Sequence, residues 1–153
     1  MKRVLLVCLG NICRSAMAEG ILRTKAKAKN IPLAIDSGGT SNFHTGEAPD
    51  KRAQATMLKK GIDISDLRAR QFKSEDFEKF DYILAMDKQN YYDLVSKAQN
   101  EAQKQKVALI LSYLNSNDFE EVPDPYYGGD EGFELVYSLL DEACENFLNK
   151  INE

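Results

Sequence analysis

Four short apolar runs, each leading into a longer stretch with helical character, constrain this chain more than any other feature. Lys2–Val7, Leu33–Ser37, Tyr82–Met86 and Val107–Leu111 read as buried strands. Between them, Ser15–Lys29 is rich in Ala, Lys and Arg, and Asp50–Lys60 begins on an acidic cap and stops at Gly61. Ser74–Lys79 reads as a short helix and Lys88–Lys104 as a longer or broken one. Near the end, Phe133, Val136, Tyr137, Leu140, Cys144, Phe147 and Ile151 recur at steps of three and four, which is one face of a helix. Strands alternating with helices build βαβ units. The expectation is therefore an α/β fold, a single doubly wound three-layer domain over residues 1–153 with a four-stranded parallel sheet flanked by about five helices. A chain of 153 residues supports one such core without disulfide staples. The stretches Ser37–Pro49 and Pro123–Gly132 are too short for interdomain linkers and read as functional loops.

Composition narrows the classes of partner. Twenty basic against twenty-four acidic residues leave a net charge of −4, which argues against a general nucleic-acid or anionic-membrane binder. If the chain binds an anion, a local site must do it. Three cysteines, Cys8, Cys13 and Cys144, make a poor disulfide framework and point to a reducing, cytoplasmic setting. The run Val4–Leu9 is shorter than the ~7–15 apolar residues of a signal core, and nothing approaches the ~18 of a membrane span. One histidine and no Cys-x2-Cys pair leave little to build a metal site, so neither metal nor other cofactor is expected.

In a doubly wound sheet, ligands gather at the carboxyl ends of the strands, near the point where strand order reverses. The residues there after the first strand are Cys8-Leu9-Gly10-Asn11-Ile12-Cys13-Arg14-Ser15. A loop passing from a strand end into a helix start turns unpaired amides, and the positive end of the helix, toward one point. Gly10 and Asn11 tolerate the positive φ of a tight cradle. Arg14 adds a planar fork matched to two phosphate oxygens. Cys8, at the start of the loop, would place its sulfur on the cradle floor, where the surroundings favour a thiolate. Ser15 either donates to that sulfur or caps the helix. An oxyanion held against a thiolate under an arginine is arranged for attack of sulfur on phosphorus.

Such an attack on a phosphate ester needs a proton for the leaving oxygen. Asp124, fixed between Pro123 and Pro125, is the best source, and the adjacent Tyr126 and Tyr127 offer a wall for an aromatic leaving group. By itself Asp-Pro is only a turn signal; beside the first loop it becomes a candidate acid.

These residues resemble the low-molecular-weight protein tyrosine phosphatases. The likeness rests on Val7–Ser15 and Asp124-Pro125-Tyr126-Tyr127-Gly128. It extends over the chain through Asp36–Thr40, Pro49–Arg52, Ala69-Arg70-Gln71 and Phe80–Asp87. The resemblance implies a phosphocysteine intermediate on Cys8, phosphate bound by the loop Leu9, Gly10, Asn11, Ile12, Cys13, Arg14 and Ser15, and Asp124 as acid and then base. It implies that Asn11 holds the loop backbone and that Ser15 stabilises the departing thiolate. It further implies pocket walls from Phe43, Tyr126 and Tyr127, and supporting places for Ser37 and Asp87, the latter read equally well as a helix cap. Cys13 is either a reversible redox partner of Cys8 or a thiol packed under the loop. Tyrosine-phosphorylated proteins are the implied partners, with inorganic phosphate and similar oxyanions as competing ligands.

Two departures stand out: Ala16 follows Arg14-Ser15 where a proline is common, with little effect expected, and Leu67 differs as well. Leu67 occupies the place where many members carry a loop-supporting histidine, so thinner polar support for Asn11 and Ser37 is expected. The lone histidine, His44, is read as a solvated rim residue, and Cys144 as core. Three alternatives stay open: a protein arginine phosphatase, an arsenate reductase of the same fold, and a non-catalytic phosphate-binding module. Ile12 favours an aryl ester over a guanidinium, the segment Leu67–Gln89 lacks the cysteine of a reductase relay, and Cys8, Arg14 and Asp124 together argue against a mere binder.

Overall fold

A computed structural model describes residues 1–125 and 129–152. The strands are β1 (Lys2–Cys8), β2 (Leu33–Gly39), β3 (Tyr82–Ala85) and β4 (Val107–Leu109). All pairings are parallel, in the order β2-β1-β3-β4. The helices are α1 (Arg14–Ala28), α2 (Lys51–Lys59), α3 (Asp76–Lys79), α4 (Lys88–Lys97), α5 (Glu101–Gln105) and α6 (Gly129–Ile151), with a 3-10 turn at Ile110–Tyr113.

The expected layers are present, and period-two burial explains them. Val4, Leu6 and Cys8 of β1 face one apolar cluster with α1, α2 and α6, while Leu5 and Val7 face a second with α3 and α4. The central strands are buried on both faces, so they read as continuous apolar runs. The periodic stripe read near the chain's end is the buried face of α6.

Among the described residues six helices replace the expected five or so, because the stretch Lys88–Lys104 is broken. Ala98 leaves helical geometry at ψ 139°, and the Asn100 side chain starts a new helix by accepting from the Gln103 amide. The last strand ends at Leu109, and the chain tightens at once into the 3-10 turn.

Strand order reverses beside β1, with β2 on one side and β3 on the other. The β1–α1 loop and the start of α4 after β3 therefore meet at one crevice.

Candidate functional site

The β1–α1 loop is built around the sulfur of Cys8. That residue is 3% exposed. The Asn11 amide donates to its Sγ at 3.2 Å, and the Ser15 hydroxyl lies 3.0 Å away. Asn11 reaches this position at φ +61°, the left-handed pose expected of it. Gly10 does not take the positive φ anticipated for it; an added Cβ would sit 2.9 Å from the His44 ring, which would have to shift. Gly39 serves close approach as well, since a Cβ there would sit 2.7 Å from the Leu9 carbonyl.

Helix α1 begins at the loop without a side-chain cap from Cys13. Its first intrahelical bond runs from the Met17 amide to the Cys13 carbonyl at 2.9 Å, so the amides before it have no helical acceptor and are available to an anion. Ser15, the candidate cap, turns to the sulfur instead.

Arg14 is 7% exposed and spans two loops. Its Nη1 donates to Asp87 Oδ2 at 2.8 Å and to the Val122 carbonyl at 3.1 Å. Burial works against its charge, but the Cys8 sulfur, Asp87 and Asp124 outweigh it and hold the guanidinium above its ordinary pKa. Asp87 serves both readings given to it: Oδ1 caps α4 by accepting from the Asn90 amide at 2.7 Å, while Oδ2 holds Arg14.

The Val122 amide donates to the Met86 carbonyl at 2.8 Å, which fastens the Asp124 loop to the end of β3. Asp124 thus lines the same cavity, of about 280 Å³, as Cys8, Cys13, Arg14, Phe43 and His44. Phe43 is 84% exposed at its mouth. Tyr126 and Tyr127 lie outside the described residues. His44 belongs to the lining, with Nδ1 bonded to Glu47 at 2.9 Å.

Cys13 lines the same cavity. Burial first, then Asp50, Cys8 and Asp124, push its pKa up to about 12 against the pull of Arg14, so it is a thiol at neutral pH. Cys144 is buried on α6 as anticipated.

Polar support behind the loop comes from residues other than Leu67. Leu67 packs at the margin of the larger apolar cluster. Asn11 Nδ2 donates to Ser15 Oγ at 2.7 Å and to Ser37 Oγ at 2.9 Å, and its Oδ1 accepts from the Arg70 amide at 3.0 Å. Ser37 in turn donates to Glu19 at 2.6 Å. Glu19 and Arg70 carry this support, and the sequence reading assigned neither a role. A carboxylate on the inner face of α1, four residues before Arg23, was the available signal for Glu19.

Among the described residues no group of three or more His, Cys, Asp and Glu could hold a metal ion. Nor is any helix long and apolar enough to cross a membrane.

Comparison with known proteins places this geometry. The profile of the low molecular weight phosphotyrosine protein phosphatase family matches residues 3–153. The human low molecular weight phosphotyrosine protein phosphatase is 44% identical over 152 residues, 97% of this chain and 95% of that protein. The Bacillus subtilis low molecular weight protein-tyrosine-phosphatase YfkJ is 39% identical over 155 residues, 100% of this chain and 97% of that protein. A crystal structure of protein tyrosine phosphatase from Entamoeba histolytica superposes with a TM-score of 0.95 at 38% identity. It covers 99% of this chain and 97% of that one.

Proposed function

The chain belongs to the low molecular weight phosphotyrosine protein phosphatase family and is a protein tyrosine phosphatase; we propose that it dephosphorylates tyrosine-phosphorylated proteins through a phosphocysteine on Cys8. The observation that carries this reading is the position of the Cys8 sulfur, which accepts from the Asn11 amide and lies against the Ser15 hydroxyl in a cavity that Arg14 and Asp124 also line.

In the first step the loop amides and Arg14 hold the phosphoryl oxygens and the sulfur attacks phosphorus. The S–P bond forms as the P–O bond breaks, and Asp124 gives its proton to the tyrosine oxygen. In the second step Asp124 takes a proton from water, whose oxygen attacks phosphorus. The S–P bond breaks, and the thiolate leaves toward the Ser15 hydroxyl. Inorganic phosphate, the product, competes for the same donors. Phe43, at the mouth of the cavity, offers a wall beside the aromatic leaving group. Ile12 in the lining suits an aryl ester better than a guanidinium.

Residues 1–153 act as one catalytic domain, in a reducing cytoplasm that keeps the nucleophile active. Under peroxide, Cys8 is oxidised to the sulfenic acid and the Cys13 thiol condenses with it, releasing water. A Cys8→Ser variant assayed with an aryl phosphate is expected to bind inorganic phosphate and lose turnover; turnover at the wild-type rate overturns the mechanism. Disulfide mapping after peroxide is expected to find Cys8 joined to Cys13, and Cys8 recovered only free or over-oxidised refutes the pairing.

A further inference from the structure

We propose that Glu19, a residue outside the catalytic cavity, is a positioning residue for the second chemical step: its carboxylate fixes Ser37, and through it Asn11, so that the Ser15 hydroxyl is left to donate to the departing sulfur. The proposal rests on the covalent mechanism above and adds a distal control to it.

Hydrogen-bond directions carry the argument. Glu19 is 2% exposed. One carboxylate oxygen pairs with Arg23 Nη2 at 2.5 Å and the other meets Ser37 Oγ at 2.6 Å. Arg23 also donates to the Ile35 carbonyl at 2.7 Å, which holds its guanidinium against β2. A carboxylate has no hydrogen to give, so the Ser37 hydroxyl must donate to it. The lone pairs of Ser37 therefore face Asn11, whose Nδ2 donates to them at 2.9 Å. The same amide group gives its other hydrogen to Ser15 Oγ at 2.7 Å, an orientation that the Arg70 amide on Oδ1 reinforces. Ser15 is then already an acceptor, and its one hydrogen has Cys8 Sγ as its neighbour at 3.0 Å. The chain of bonds has one permitted sense from Arg23 to the nucleophile, and chains of this kind polarise along their length.

Stability does not account for the charge. Burial raises the Glu19 pKa, with Asp36 adding to the rise and the Ser37 bond and Arg23 opposing it. The folded protein therefore holds this proton more tightly than the unfolded chain. As pH climbs from the ordinary carboxyl value through the raised one, ionised Glu19 costs folding stability.

A glutamine tests the charge at nearly constant shape. Arg23 would take the amide oxygen, the NH2 would turn to Ser37, and Ser37 would receive donors from two sides while its own hydrogen lost its acceptor. Its grip on Asn11 would weaken. The consequence falls on one step. A donor on the sulfur gives no help while sulfur is the nucleophile, and it matters when sulfur leaves with its charge.

The test is stopped-flow and steady-state hydrolysis of a good aryl phosphate by wild type, Glu19→Gln and Ser37→Ala. Expected for Glu19→Gln is a kcat lowered by about tenfold, the size of one lost charge-assisted hydrogen bond. An unchanged kcat/KM, a larger burst of phenol relative to turnover, and a melting temperature at or above that of wild type should accompany it. Ser37→Ala, which cuts the same link from the other side, should reproduce the split. Wild-type kcat in both variants overturns the proposal. So does a joint fall of kcat and kcat/KM with a lowered melting temperature, the signature of a purely structural role. A wild-type enzyme that accumulates no phosphoenzyme when quenched during turnover would instead count against the covalent mechanism.

Discussion

The floor and the mouth of the catalytic cavity are built on opposite plans. On the floor, Asn11, Arg14, Ser15 and Ser37 are at most 7% exposed, and their side chains lock together with Asp87, the Val122 carbonyl, Glu19 and the Arg70 amide. At the mouth, Leu9 and Phe43 are 53% and 84% exposed, and His44 leans on Gly10 with Glu47 as its bonded neighbour. The floor is preorganised, so its donors need not rearrange when charge develops on the phosphoryl group. The mouth presents apolar area whose position can adapt to a protein substrate. On the proposed mechanism, chemistry and substrate choice are separated by depth.

The largest expected effect tests the floor. Arg14→Lys keeps the charge but loses the fork that reaches Asp87, Val122 and the phosphoryl oxygens together. We expect kcat/KM for an aryl phosphate to fall by about 10³-fold, as for loss of a preorganised donor. The inhibition constant of inorganic phosphate should rise in parallel. A lysine enzyme within tenfold of wild type would show that charge alone suffices and that the geometry of the floor is incidental.

Asp124 is where depth and role part company in the proposed mechanism, which gives the proton to an exposed residue at the edge of the cavity. Asp124→Ala should lower kcat by about 10²-fold or more with poorly acidic phenols as leaving groups. The loss should shrink as the phenol becomes more acidic. Equal losses across a leaving-group series would remove Asp124 from the protonation step and restore a simple division between deep chemistry and shallow recognition.

The same division explains what could be read from the sequence. The floor is written in one continuous segment, Cys8–Ser15, whose place after a buried strand and before a helix follows from local pattern. Asp124 was legible through its two prolines. Glu19 left one local signal, its spacing to Arg23, but its link to Ser37, like that of the Arg70 amide to Asn11, depends on sheet register. Leu6 of β1 pairs with Ser37 of β2, and Gly39 pairs with Gln71, and those pairings bring the Ser37 hydroxyl and the Arg70 amide to the loop. No spacing in the chain announces either contact. Leu67 offers no polar partner, and one backbone amide and one carboxylate, distant in sequence, engage Asn11 and Ser37 instead. Broken helicity after Lys97 was half-legible, since Asn100 is a good cap but the turn at Ala98 carries no breaker residue.

The smallest effect falls on the mouth. Phe43 makes its contribution only when something packs on it, because its ring is largely in water in the free protein. Removing it with Phe43→Ala should leave the melting temperature unchanged, since little apolar area is uncovered. For a small aryl phosphate, kcat should also stay close to wild type, as the floor is untouched. For a phosphotyrosyl peptide, whose flanking side chains reach the rim, KM should rise by about five- to tenfold, the worth of one partly buried aromatic contact of about 1 kcal/mol. Comparing the two substrates on the same enzyme preparation isolates the mouth from the floor. If both substrates lose kcat equally, Phe43 acts through the loop beneath it, by way of His44 on Gly10, and the two layers are one device rather than two.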